Sequence, residues 1–184
     1  MRSTHATLLA TLLGLALAAI AAPLKTDLAA SKVSATFRQM NVPVEAPFKR
    51  FSAQIDYDAA KPELAKASVE IDTASLDVGD PDMNKEVAKK EWFNAAQFPK
   101  ATFVSSKITP AGAGKLTVSG KLIIKGRAAD VSFPLTVKTE AGKEVFEGAL
   151  PIKRLTYTVG EGEWKDTSMV ADDVIIKFRV TATK

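Results

Sequence analysis

Residues 116–137 read LTVSGKLIIKGRAADVSFPLTV, and their alternation decides the fold. Leu116, Val118, Gly120, Leu122 and Ile124 fall on one side of an extended chain, with Thr117, Ser119 and Lys121 on the other. After the turn signal Lys125-Gly126, Val131, Phe133, Leu135 and Val137 repeat the pattern against Asp130, Ser132 and Thr136. Successive side chains of a strand point to opposite faces, so each run is a strand with one apolar face to bury.

The same period-two pattern recurs in both directions from this stretch. Val33, Ala35 and Phe37 form one apolar series, and Phe51, Ala53, Ile55 and Tyr57 a second. Ala67, Val69 and Ile71 form a third, and Val174, Ile176, Phe178 and Val180 a fourth. Weaker alternation marks 101–108 and 144–155. Turn signals at 58–62, 110–114, 125–126 and 141–142 separate these runs. About eight strands spaced in this way predict an all-β antiparallel meander. Its apolar face can be buried by closure into a barrel, which also removes exposed edges, or by a two-sheet sandwich. One segment departs from the pattern. Asp80-Pro81-Asp82 opens a short helix expected to run to about Trp92, with Asp80 as its cap and Pro81 in its first turn.

The first residues read as a targeting segment. Arg2 precedes an apolar run from Ala6 to Ile20, and Ala19-Ile20-Ala21 has the small-x-small form of a cleavage site. A signal peptide over 1–21 and a single domain over 22–184 are expected, and with them export to the periplasm. The alternative, a retained membrane anchor, meets an apolar run shorter than the ~20 residues a spanning helix needs.

Composition excludes several function classes. The chain has no Cys, and its one His, His5, lies in the leader. The expected mature domain therefore has neither a thiol nucleophile nor an imidazole base, and it lacks the preferred ligands of zinc, copper, haem and iron–sulfur centres. No metal site, no catalytic residue and no enzymatic activity are expected. Removing Arg2 with the leader leaves 24 basic and 21 acidic residues, interspersed rather than blocked, which argues against nucleic-acid binding. Acidic groups at Asp80/Asp82, at Asp172/Asp173 and at Glu161, Glu163 and Asp166 leave carboxylate-based hydrolysis, or a calcium site in the last group, as alternatives.

Three stretches together resemble the YceI family of periplasmic polyisoprenoid-binding proteins. They are 91–103 (EWFNAAQFPKATF), 120–126 (GKLIIKG), and 152–160 (IKRLTYTVG) followed by 170–174 (VADDV). The resemblance spans Ser31 to Thr183. It implies a lipocalin-like barrel with a helix beside it and a long apolar cavity for an isoprenoid chain, such as a polyprenyl phosphate or a quinone tail, without any other cofactor. It also implies a carrier of such lipids, or an accessory to a membrane redox partner through transient contact with a cytochrome or a membrane surface. The chain departs from the family where Lys85-Glu86-Val87 replaces a common His, and where 160–165 lengthen the third motif.

The expected cavity wall comprises Phe37, Phe51, Ile55, Val69, Ile71, Phe103, Leu116, Val118, Leu122, Phe133, Leu135, Ile176 and Phe178. Small neighbours such as Ala35, Ala53, Ala101 and Gly120 leave room along the axis unless the larger side chains fill it. Trp92, Arg154 and Trp164 are the expected mouth residues. Arg154 suits a phosphate contact, with a structural loop anchor as its alternative.

Overall fold

The computed structural model describes residues 23–184; the expected signal peptide and His5 lie outside the described residues. Nine antiparallel strands form one sheet: β1 Lys25–Gln39, β2 Val42–Pro47, β3 Phe51–Asp56, β4 Lys66–Asp72, β5 Lys100–Pro110, β6 Lys115–Ile124, β7 Arg127–Glu140, β8 Lys143–Lys153 and β9 Asp173–Thr183. The spatial order is β2-β1-β9-β8-β7-β6-β5-β4-β3. One continuous sheet replaces the sandwich alternative. It curls into a lipocalin-like half-barrel whose ends approach along β1. Leu24 donates its N–H to the Ile55 carbonyl at 2.8 Å, and Thr26 Oγ1 donates to the Ala53 carbonyl at 2.8 Å. A register shift between Asp27 and Lys32 bends β1, so its first half reaches β3 while its second half pairs with β2.

The strand absent from the sequence reading is β2. Pro43 and Pro47 argue against a strand, because proline cannot donate to a ladder. On an edge strand that objection lapses, and β2 borders the sheet with only β1 as its strand partner.

Three hairpins turn on two residues of positive φ: Met40-Asn41, Lys125-Gly126 and Ala141-Gly142. That backbone matches the twist of the flanking strands. At 125–126 it fixes the register that pairs Ile124 with Arg127 and keeps Val118 opposite Phe133. A slip by one residue would put the apolar series of β6 in water.

The helix α1 covers only Pro81–Val87. Asp80 caps it, its Oδ1 accepting from the Asp82 and Met83 N–H groups. The expected continuation to Trp92 is instead a chain of turns, with Asn94 left-handed. Trp92 is buried and its neighbour Phe93 packs against the core. Consecutive helical positions would splay these two side chains about 100° apart, so the chain leaves the helix to bring both inward. With α1, the turns at 88–98 and the loop at 154–170 cover one end of the barrel.

Candidate functional site

The barrel interior contains a cavity of about 400 Å³. That lies within the range of small-molecule sites and well above the ~150 Å³ of an engineered apolar hole that binds benzene. Of the thirteen expected wall residues, twelve line it; Phe51 packs against the core without reaching the cavity. Two inward glycines explain how a barrel with this many aromatics stays hollow. The Phe103 ring lies over Gly120, where a Cβ would come within 2.6 Å of the ring. Phe178 lies over Gly148, its cross-strand partner, with similarly little room for a Cβ. Phe103, Phe133 and Phe178 then form a ladder along the wall, with centroids 5.5 Å apart at each step. Rings laid along the wall on glycine leave the axis free.

The wall is almost wholly apolar. Sequence reasoning missed much of it: Phe48, Leu76, Val78 and Met83 come from segments between strands, and Val44 from the unexpected β2. Phe146, Leu150 and Ile152 come from β8, whose alternation was weak but legible. Tyr57 and Phe146 meet edge to face at 5.3 Å, and partial burial, with help from Glu144 and Asp58, raises the Tyr57 pKa.

Trp92, Arg154 and Trp164 do gather at the covered end. The indoles are 5.2 Å apart, and the Arg154 guanidinium carbon lies 5.6 Å from the Trp92 ring centre. The contacts of Arg154 are those of a loop anchor, not of a free phosphate ligand. It is 4% exposed. Nε donates to the Ala171 carbonyl, Nη1 to the Val159 and Gly160 carbonyls, and Nη2 to the Trp164 and Val170 carbonyls, at 2.7 to 3.2 Å. Burial lowers its pKa, and Asp172 opposes that shift. Gly160, at φ +84°, makes way for the guanidinium, since a Cβ there would collide with Nη1. This explains the spacing of Arg154 and Gly160, since one cation gathers the loop, while the buried Tyr157 between them lines the cavity.

Lys125 performs a parallel task. Its buried ammonium donates to the Thr158 carbonyl at 2.7 Å and to Glu161 Oε2 at 2.8 Å, tying the β6–β7 turn to the covering loop. The Glu161 carboxyl is accordingly held below its usual range by Lys125. Among the described residues, Trp92 Nε1 is buried without a hydrogen-bond partner.

Most of the carboxylates considered for catalysis or calcium serve as local ties. Asp80 caps α1, Asp82 pairs with Lys85, and Asp173 pairs with Lys153. Asp172 accepts the Leu155 N–H at 2.9 Å. Among the described residues no three such side chains converge as a metal site.

Residues 24–182 match the model of the YceI-like domain family. A UPF0312 protein of Shewanella baltica is 33% identical over 141 residues, covering 73% of this chain and 72% of the relative. BcnA of Burkholderia cenocepacia superposes with a TM-score of 0.84 at 55% identity, covering 86% of this chain and all of that one. A Campylobacter jejuni YceI protein aligns at 27% identity and TM-score 0.66, over 77% of this chain and 85% of that one. A polyisoprenoid binding domain from Saccharophagus degradans, described as implicated in plant cell wall breakdown, shares the fold at 18% identity and TM-score 0.70. That match covers 89% of this chain and 98% of the domain.

Proposed function

The chain belongs to the YceI-like domain family, and from that premise we propose that it is a carrier that holds an isoprenoid-type lipid within its barrel and catalyses no reaction on it. The observation that carries this reading is the apolar cavity, kept hollow by Phe103 and Phe178 lying on Gly120 and Gly148. The polyisoprenoid binding domain that shares the fold lends it support.

The energetics suit a hydrocarbon chain. Burying one methylene is worth ~0.8 kcal/mol, so a five-carbon isoprene unit contributes roughly 4 kcal/mol. Association costs on the order of 4–15 kcal/mol in lost freedom. One unit is marginal, and about four units offset the cost without any charged contact. Arg154 is therefore not required as a phosphate ligand; it holds the covering loop in place. A polyprenyl phosphate would keep its charged end at the solvent boundary, while a quinone tail could be enclosed more fully. The proposed place of action is the periplasm, after removal of residues 1–21.

Native mass spectrometry of protein purified without detergent tests this reading. A bound mass that dissociates as a prenyl lipid is expected. Repeatedly lipid-free protein that also refuses added prenol would overturn it.

A further inference from the structure

A cluster of apolar side chains stands in water beside the covered end of the barrel. Met40 is 62% exposed, Val42 61% and Met169 46%. Exposed apolar residues are ordinary when scattered, but these three adjoin. Met40 donates its N–H to the Met169 carbonyl at 2.8 Å, and Val42 closes the same two-residue turn. The turn itself is unusual in composition. Met40 has φ 46°, a position that normally takes Asn, Asp or Gly, so a long thioether is held outward on a backbone that disfavours it.

The cluster is continuous with the cavity wall. Phe37 pairs with Val44 and Gln39 with Val42, and paired residues share a face. Phe37, Gln39 and Val44 line the cavity, so Val42 extends that inner face by one rung beyond the barrel. Asp80 and Met83 of the α1 region also line the cavity and reach solvent.

Behind the apolar tip lies a small polar hollow of about 220 Å³, lined by Arg38, Asn41, Thr167, Ser168 and Ala171. Arg38 Nη1 donates to the Asn41 carbonyl at 2.9 Å, and Arg38 makes no ion pair among the described residues. Asp166, adjacent to the lining residue Thr167, accepts the Ser168 N–H and so points into its own turn.

We propose that the Met40–Val42 turn and Met169 dock the protein on an anionic phospholipid bilayer, seating apolar side chains among the acyl chains and Arg38 at the phosphates, so that cargo passes along the Val42–Val44 face into the barrel. This rests on the carrier reading. A bilayer is the occupant that matches all three features: an apolar tip, a cation set just behind it, and a continuous apolar path to a hydrocarbon-sized cavity.

Transfer kinetics separate this inference from the carrier reading. Dansyl-labelled geranylgeraniol, a four-unit prenol, is supplied either from ethanol or from mixed phosphatidylcholine–phosphatidylglycerol vesicles. The double variant M40D/M169D should bind the probe from ethanol as the wild type does, yet acquire it from vesicles at least about tenfold more slowly. R38Q should remove the advantage of phosphatidylglycerol-containing vesicles over neutral ones. L64D, which changes an equally exposed leucine at the opposite end, should transfer normally. Unchanged vesicle transfer in M40D/M169D, or slowing in L64D instead, would overturn the docking site. Failure of the wild type to bind from ethanol would overturn the carrier reading itself.

Discussion

Replacing Ala35 by leucine distinguishes a hollow barrel from a filled one by the sign of a stability change. Ala35 is 6% exposed on β1, lines the cavity, and lies opposite Ile176 on β9. Leucine adds three carbons. If these enter empty apolar space they stabilise by about 2.4 kcal/mol at ~0.8 kcal/mol each, less roughly 0.5–1 kcal/mol of rotamer entropy. If instead the lumen were filled by side chains, overpacking would cost about 1–3 kcal/mol. For a chain of this size 1 kcal/mol moves Tm by about 2–4 °C. Calorimetry on delipidated Ala35→Leu should therefore show Tm raised by about 3–8 °C, while prenol binding weakens because the space is taken. Delipidation matters, since bound ligand would stabilise the wild type by mass action. A Tm lowered by a similar amount would refute the hollow-lumen argument.

Other consequences follow from named contacts. Arg154→Met should lower stability by about 3–5 kcal/mol in a denaturant melt, because it strips donors from the Val159, Gly160, Trp164, Val170 and Ala171 carbonyls. Arg154→Lys should restore little of this, as one ammonium cannot reproduce the planar fork. Gly148→Val should displace the Phe178 ring toward the axis, giving a lower melting temperature and loss of prenol binding in a fluorescence titration. Asp77 accepts from Lys49 Nζ at 2.7 Å, Asn84 Nδ2 at 2.9 Å and the Gly79 N–H at 3.0 Å. Lys49 above all holds its carboxyl well below the ordinary range. Because the folded pKa is depressed, its contribution is present above the unfolded value of about 3.9 and is lost as pH falls below it. Asp77→Asn should flatten the fall of Tm with acidification below about pH 4, and an unchanged slope would contradict that assignment.

The legible part of the fold was the part with period two. The series around Val118 and Phe133 shows inward and outward positions directly, because a strand interior facing one core has no other solution. The wall residues chosen from such series lie on the cavity, apart from Phe51 at the end of β3. What escaped had no period. Segment 42–47 carries two prolines and gains its place only from the edge it occupies. Phe48, Leu76 and Met83 reach the cavity from connections whose path depends on tertiary contacts, among them the Phe48–Leu76 bridge. The role of Arg154 was ambiguous for a physical reason: a guanidinium suits phosphate and carbonyl oxygens alike, and only the fold brings five carbonyls around this one. The hollowness was equally undetermined. Gly120 invited it, but whether Phe103 lies along the wall or across the axis is a matter of packing.

The central claim is that the lumen accepts an extended hydrocarbon, and a chain-length titration tests it most directly. Delipidated protein would be titrated with prenols of one to nine isoprene units, following the equilibrium Kd for each. Affinity should tighten with each added unit until the lumen is occupied from the Tyr57–Phe146 end to Trp92, and then level off. Binding that is absent at every length, or indifferent to length, would contradict the account.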